Sequence, residues 1–188
     1  MAVITFFAEL DAGPCTGCKL CDLVCPSGAI TMVAKKAVID DPKCIGCGRC
    51  VDRCPEDIMW MTERAEPLTV TVRPDEVDQT KVNELLVKAG IDASVSVCVC
   101  TLTPASEIAA AVVKGAANLD EVSAMTGMRS GCGIYCVAPA LRILEAAGCD
   151  MTVPRGHRWY PCTLSLWDVS DEAKAKYPDA FIDQDRAA

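Results

Sequence analysis

The strongest constraint in this chain is the stretch from Cys15 to Pro55, where eight cysteines fall into two near-identical runs. Cys15, Cys18, Cys21 and Cys25 precede Pro26, and Cys44, Cys47, Cys50 and Cys54 precede Pro55, so each run reads C-x2-C-x2-C-x3-C-P. Three thiolates separated by two residues can curl around one cubane and ligate three of its irons. The fourth leaves on a short helix, cannot turn back, and so reaches the other cluster. The spacing predicts a first [4Fe–4S] site from Cys15, Cys18, Cys21 and Cys54. A second follows from Cys44, Cys47, Cys50 and Cys25.

Other uses of cysteine fit less well. Structural zinc takes four ligands per site and has no use for a third C-x2-C step or a trailing Cys-Pro. Disulfides need an oxidising compartment, and cysteines three apart are poor partners for interleaved bridges. The doubled run resembles the two-cluster bacterial-type ferredoxins, and the resemblance covers roughly residues 1–66.

The whole chain has 188 residues, suited to one or two small domains, and fourteen cysteines that clusters explain without a secreted disulfide scaffold. The opening MAVITFFAELDAGPC lacks a basic region ahead of its apolar residues, and no apolar run has the length of a bilayer span. The expectation is a cytoplasmic protein with no direct membrane span. A formal charge of −8, made more negative by each thiolate-bound cluster, argues against the usual nucleic-acid footprint, and serves either a partner with a basic docking face or solubility alone.

Within the first domain, strands are expected at Ala2–Phe7, Ala29–Val33 and Ala37–Asp40, in an internally duplicated order of cysteine loop and helix. Gly17, Gly46, Gly48 and Ser27 leave room for backbone N–H groups near cluster sulfurs. Ile30, Ile45, Val24 and Ile58 are the expected apolar jacket. Arg64-Ala65-Glu66-Pro67 reads as the end of this unit. Residues 67–92 read as a connector: a strand at Leu68–Val72, then a helix over Asp75–Ala89 stopped by Gly90, packing between modules without chemistry of its own.

A third cysteine group follows in residues 93–150. Cys98 and Cys100 are separated by one residue, and Cys132 and Cys136 come after a gap of thirty-one. Between them, one helix is expected with Thr103 as N-cap, Pro104 in its first turn and Gly115 at its end. A second is capped by Asn118 with Glu121 three residues on, and a third runs from Val137 to Ala147 with Gly148 beyond it. The stretch CVCTLTPASEIAAAVVKGAANLDEVSAMTG…CGIYC resembles the small helical [2Fe–2S] domain of bacterioferritin-associated ferredoxin, over about residues 95–147. The resemblance implies one [2Fe–2S] cluster on Cys98, Cys100, Cys132 and Cys136. The family's second pair is C-x2-C, whereas three residues separate Cys132 from Cys136, which leaves Cys149 as the alternative fourth sulfur.

Residues 151–188 form an aromatic-rich tail with Trp159, Tyr160, Trp167, Tyr177 and Phe181, the lone histidine His157 between Arg155 and Arg158, and the isolated Cys162. A short helix is signalled over Asp168–Lys176, and the tail either packs on its own domains or reaches onto a neighbour. The fold expected overall is α+β: a two-[4Fe–4S] ferredoxin fold, a small all-helical [2Fe–2S] domain and an extended C-terminal tail. No catalytic constellation and no nucleotide-binding glycine loop are legible. Two [4Fe–4S] clusters and one [2Fe–2S] cluster then make a non-catalytic electron-transfer subunit of a hetero-oligomeric oxidoreductase. It would relay single electrons between a low-potential donor and the flavin or metal centre of a partner subunit, with an anaerobic host implied by the resemblance. An iron–sulfur or metal delivery protein is the alternative, and a cluster-based redox sensor a third class.

Overall fold

The structure is a computed structural model that describes residues 2–152 and 169–187. Trp159, Tyr160, Trp167, Arg155, His157, Arg158 and Cys162 lie outside the described residues.

The first half is framed by β1 (Ala2–Leu10) paired antiparallel with β4 (Met59–Val70), so the two ends of this unit hold each other. Between them lie α1 (Leu20–Val24), the hairpin β2 (Ile30–Val33) and β3 (Lys36–Ile39), and α2 (Arg49–Arg53), with α1 packed on α2. The hairpin turns through Ala34 and Lys35, both at positive φ, the conformation that a two-residue turn needs to match the twist of its strands. Lys36, just past the turn, donates from Nζ to the carbonyls of Gly13 (2.9 Å) and Cys15 (2.7 Å) and so pins the first cysteine loop.

The duplication extends to backbone detail. Lys19 and Gly48 take the left-handed conformation as N-caps of α1 and α2. Gly17 and Gly46 are also left-handed and press on the carbonyls of Lys35 and Phe6 respectively; a Cβ on Gly46 would lie 2.6 Å from the Phe6 oxygen. Neither position has room for a side chain.

Arg64-Ala65-Glu66-Pro67 does not end the unit. The register passes from Phe6↔Glu63 to Ile4↔Leu68, so these four residues form an irregularity opposite Thr5, and β4 runs on to Val70. A proline is tolerated there because an outer strand can bulge without losing its remaining ladder bonds. The strand expected at Leu68–Val72 is the second half of β4.

The second half is built on α3 (Gln79–Ala89), α4 (Ala105–Val113), α5 (Leu119–Thr126) and α6 (Val137–Ala146). The helix assigned to the connector is therefore no bridge. Val82, Leu85, Leu86 and Ala89 of α3 share one core with Ile108, Val122, Ile143 and Leu144, because α3 packs on α4 and α6. Its start is later than expected: Pro74–Glu76 makes a 3-10 turn, and Asp78 caps α3 by accepting from Thr80 N. At the centre, α4 buries Ala105, Ala109, Ala110 and Ala111 completely, and alanine on every face lets three helices approach it. Buried Glu107 on α4 accepts from the Thr71 hydroxyl (2.7 Å) and Val72 N–H (3.2 Å), fastening the end of the first half to the second core.

This half is not all-helical. β5 (Ser96–Cys98) pairs with β6 (Thr103–Pro104), closing a turn over 99–102. Thr103 consequently belongs to a strand and shares a hydroxyl contact with Thr101 (2.7 Å), while Pro104 occupies the cap position of α4. Asn118 does cap α5, accepting from Glu121 N at 2.9 Å, and Glu121 reaches back to Ala117 N at 2.8 Å. The tail is not extended where it is described: α7 (Asp171–Lys176), capped by Ser170, is followed by a 3-10 turn at Pro178–Ala180 and α8 (Ile182–Ala187). Tyr177 and Phe181 are exposed.

Candidate metal centres

Every described cysteine is a free thiol. The twelve cysteines singled out from the sequence stand in three sets. Cys15, Cys18, Cys21 and Cys54 line one cavity whose remaining wall is largely apolar, with Leu10, Met32, Ile58 and Met59. The loop before α1 supplies Cys15 and Cys18, α1 itself supplies Cys21, and the end of α2 brings Cys54 across. Backbone N–H groups of Ala37 and Gly17 hold the Cys15 thiol below its ordinary range. Burial pushes Cys21 up, as do the neighbouring Cys18 and Cys15.

The second set centres on Cys50, whose thiol is pushed up to about 12 by burial and then by the charges of Cys47, Cys44 and Cys25. Cys47 is raised mainly by burial, against the opposing N–H and charge of Arg49. Cys25, at the end of α1, accepts from Ala29 N at 3.2 Å and lies 3.8 Å from the Ser27 hydroxyl. Of the expected jacket, Ile30 and Ile45 are buried and Ile58 is half-buried against the core; Val24 is half-buried and outside it.

The third set has a buried pair and an exposed pair. Cys98 ends β5 and Cys136 caps α6; both are buried and their thiols interact. Burial works to raise Cys98, but the Thr101 hydroxyl and the N–H groups of Arg129 and Thr101 outweigh it, leaving the thiol lower than usual. Cys136 is pushed up to about 12 by burial and by Cys98. Cys100 and Cys132 are exposed, with the Cys132 N–H 3.5 Å from the Cys100 sulfur. The N–H groups of Ile134 and Tyr135, then Cys100, hold Cys132 low. Cys149 lies beyond the other end of α6, about 15 Å from Cys136 by helix rise, and packs beside Glu121.

These surroundings suit clusters held by thiolates. Backbone N–H groups are aimed at sulfurs in all three sets, which is what anionic sulfur needs once it leaves water. Among the described residues, no three His, Cys, Asp or Glu side chains gather closely enough to hold a single metal ion; the first set surrounds a cavity instead.

Arg49 and Arg129 carry no cysteine chemistry and escaped the sequence reading. One signal was available for Arg49. Overlaying the two runs places it against Leu20, one of two points, with Val24 against Arg53, where the repeat exchanges an apolar residue for a cation.

Residues 14–76 match the family model of a 4Fe-4S dicluster domain, and residues 96–146 match that of a BFD-like [2Fe-2S] binding domain. The first match extends past residue 66, as β4 does. Comparison with curated proteins and with solved structures found no match. Both matched segments are iron–sulfur domain types, and helices and short strands are mixed along the chain. More particularly, it fuses a [4Fe–4S] dicluster domain to a BFD-like [2Fe–2S] domain, and both domain types point to electron transfer. Among the described residues, no helix is long and apolar enough to cross a membrane.

Proposed function

We propose that this chain carries two [4Fe–4S] clusters and one [2Fe–2S] cluster and works as the electron-transfer subunit of an oxidoreductase complex. Cys15, Cys18, Cys21 and Cys54 hold the first, Cys25, Cys44, Cys47 and Cys50 the second, and Cys98, Cys100, Cys132 and Cys136 the third. Each bound cluster takes up and releases one electron at a time. The chain's own residues supply the thiolates, the N–H groups that disperse sulfur charge, and the apolar walls that keep water away.

The observation that carries the reading is the connection of the second set to the third. Residues adjoining Cys25 and Cys50 touch residues beside Cys98 and Cys132: Arg129 reaches the Pro26 carbonyl and Arg49 reaches the Gly131 carbonyl. The route then runs from the cavity at Cys15 through the second set to the exposed edge at Cys100 and Cys132. Val99, Leu102, Ile134 and Tyr135 around that edge are all exposed, and an apolar rim at an electron exit suits a protein partner. The partner is a flavoprotein or metalloenzyme subunit, and the assembly is cytoplasmic and hetero-oligomeric.

Anaerobic purification tests this. The chain should isolate with a redox partner and, when reduced, pass electrons to the partner's flavin or metal centre. A chain that isolates alone and hands an intact cluster to an apo-protein is a delivery protein instead.

A further inference from the structure

Arg49 lies in α2 between Cys47 and Cys50, with its N–H directed at the Cys47 sulfur. Its side chain leaves that site and crosses to the helical half, where Nη2 donates to the Gly131 carbonyl at 2.8 Å. Gly133 makes room for it: a Cβ there would stand 2.6 Å from Nη1. The guanidinium is thus near enough for its charge to act on both Cys47 and Cys132. Arg129 makes the return contact, donating from Nη1 to the carbonyl of Pro26, the residue after Cys25. In the first run the position of Arg49 is held by Leu20, which brings no charge to the Cys15 set.

We propose that Arg49 is the positioning residue that couples the second thiol site to the third, clamping the 129–133 loop against α2 and placing one positive charge between them. A fixed cation favours whichever state of a neighbour carries more negative charge. It therefore stabilises the reduced form of both sites together without altering the step between them, while leaving the Cys15 site unaffected. The clamp fixes the separation over which the electron moves. This inference rests on the assignment of clusters to the second and third sets.

The test uses holoprotein carrying Arg49→Gln or Arg49→Lys, with iron content, EPR-monitored reduction potentials and amide hydrogen exchange as readouts. Arg49→Gln should keep its iron, lower the potentials of the second and third sites in common, and leave the first unmoved. Exchange across 129–133 should accelerate by about tenfold, the loss of one charge-assisted hydrogen bond. Arg49→Lys should restore the potentials and part of the protection. Full iron with unmoved potentials in Arg49→Gln, or an equal fall at all three sites, overturns the proposal. If Arg49→Gln loses iron, the lysine variant decides: faster exchange with unmoved potentials supports the clamp, and unchanged exchange overturns it. Iron analysis of the unaltered protein separates the two levels. Missing iron at the third site strikes the cluster assignment, while full iron with unmoved potentials strikes Arg49 alone.

Discussion

Arg129 joins the two halves of the molecule through Pro26: its Nη1 donates to the Pro26 carbonyl at 2.9 Å while pairing with Asp120 at 2.8 Å. The arginine side chain is 11% exposed and Asp120 27%, so this pair is shielded from solvent. Replacing Arg129 by alanine removes a charge-assisted bond and strands a half-buried carboxylate, at a cost of about 1.5–3 kcal/mol. Thermal unfolding should show the loss. Asp120→Asn, which leaves the bond to Pro26 in place, should cost less.

The path of the chain after Cys50 makes Cys54 diagnostic. Cys54→Ala should damage the cluster of the Cys15 set and spare the one nearer to it in sequence. EPR of the reduced variant reads which signal survives. Loss confined to the Cys44, Cys47 and Cys50 cluster would mean two self-contained sites.

Gly46 and Gly48 separate steric from conformational cost. Both have positive φ, but only Gly46 has a neighbour, the Phe6 carbonyl, that an added Cβ would strike. Gly48→Ala should lose about 1–2 kcal/mol from the left-handed backbone alone. Gly46→Ala should lose clearly more, because β1 must also move. Denaturant titration of the two holoproteins makes the comparison.

Removal of iron should affect the halves unequally. Cys21, Cys25, Cys44 and Cys50 are themselves part of the first core, so thiols without iron leave it without its centre. The second core rests mainly on aliphatic side chains such as Ile108, Leu119, Val122, Ile143 and Leu144, and the buried Cys98 and Cys136 are a small part of it. Chelation should unfold residues 2–70 and leave most helical circular dichroism from α3 to α6. Complete loss of that signal would mean the helical half depends on its metal.

The sequence exposed local rules well and long-range ones poorly. The cysteine runs are legible because a short loop fixes which thiols can share a face. Asn118 and Asp78 sit at helix starts because a side-chain acceptor there serves orphan N–H groups, although the sequence placed the start of α3 four residues early. Pro67 misled because a proline in a pairing strand reads as a stop until the partner strand shows the bulge. The periodicity of α3 was clear, but the core that receives its apolar face is decided by α4 and α6. Arg49 and Arg129 are legible only in three dimensions, since each acts on carbonyls at least 80 residues away.

The central claim is that three thiol sets hold three clusters of two kinds in one chain. Iron analysis combined with EPR of anaerobically prepared, fully reduced protein tests it most directly. The account predicts about ten irons per chain, with cubane and binuclear signals together. Cubane signals alone, with zinc bound at Cys98, Cys100, Cys132 and Cys136, would contradict it.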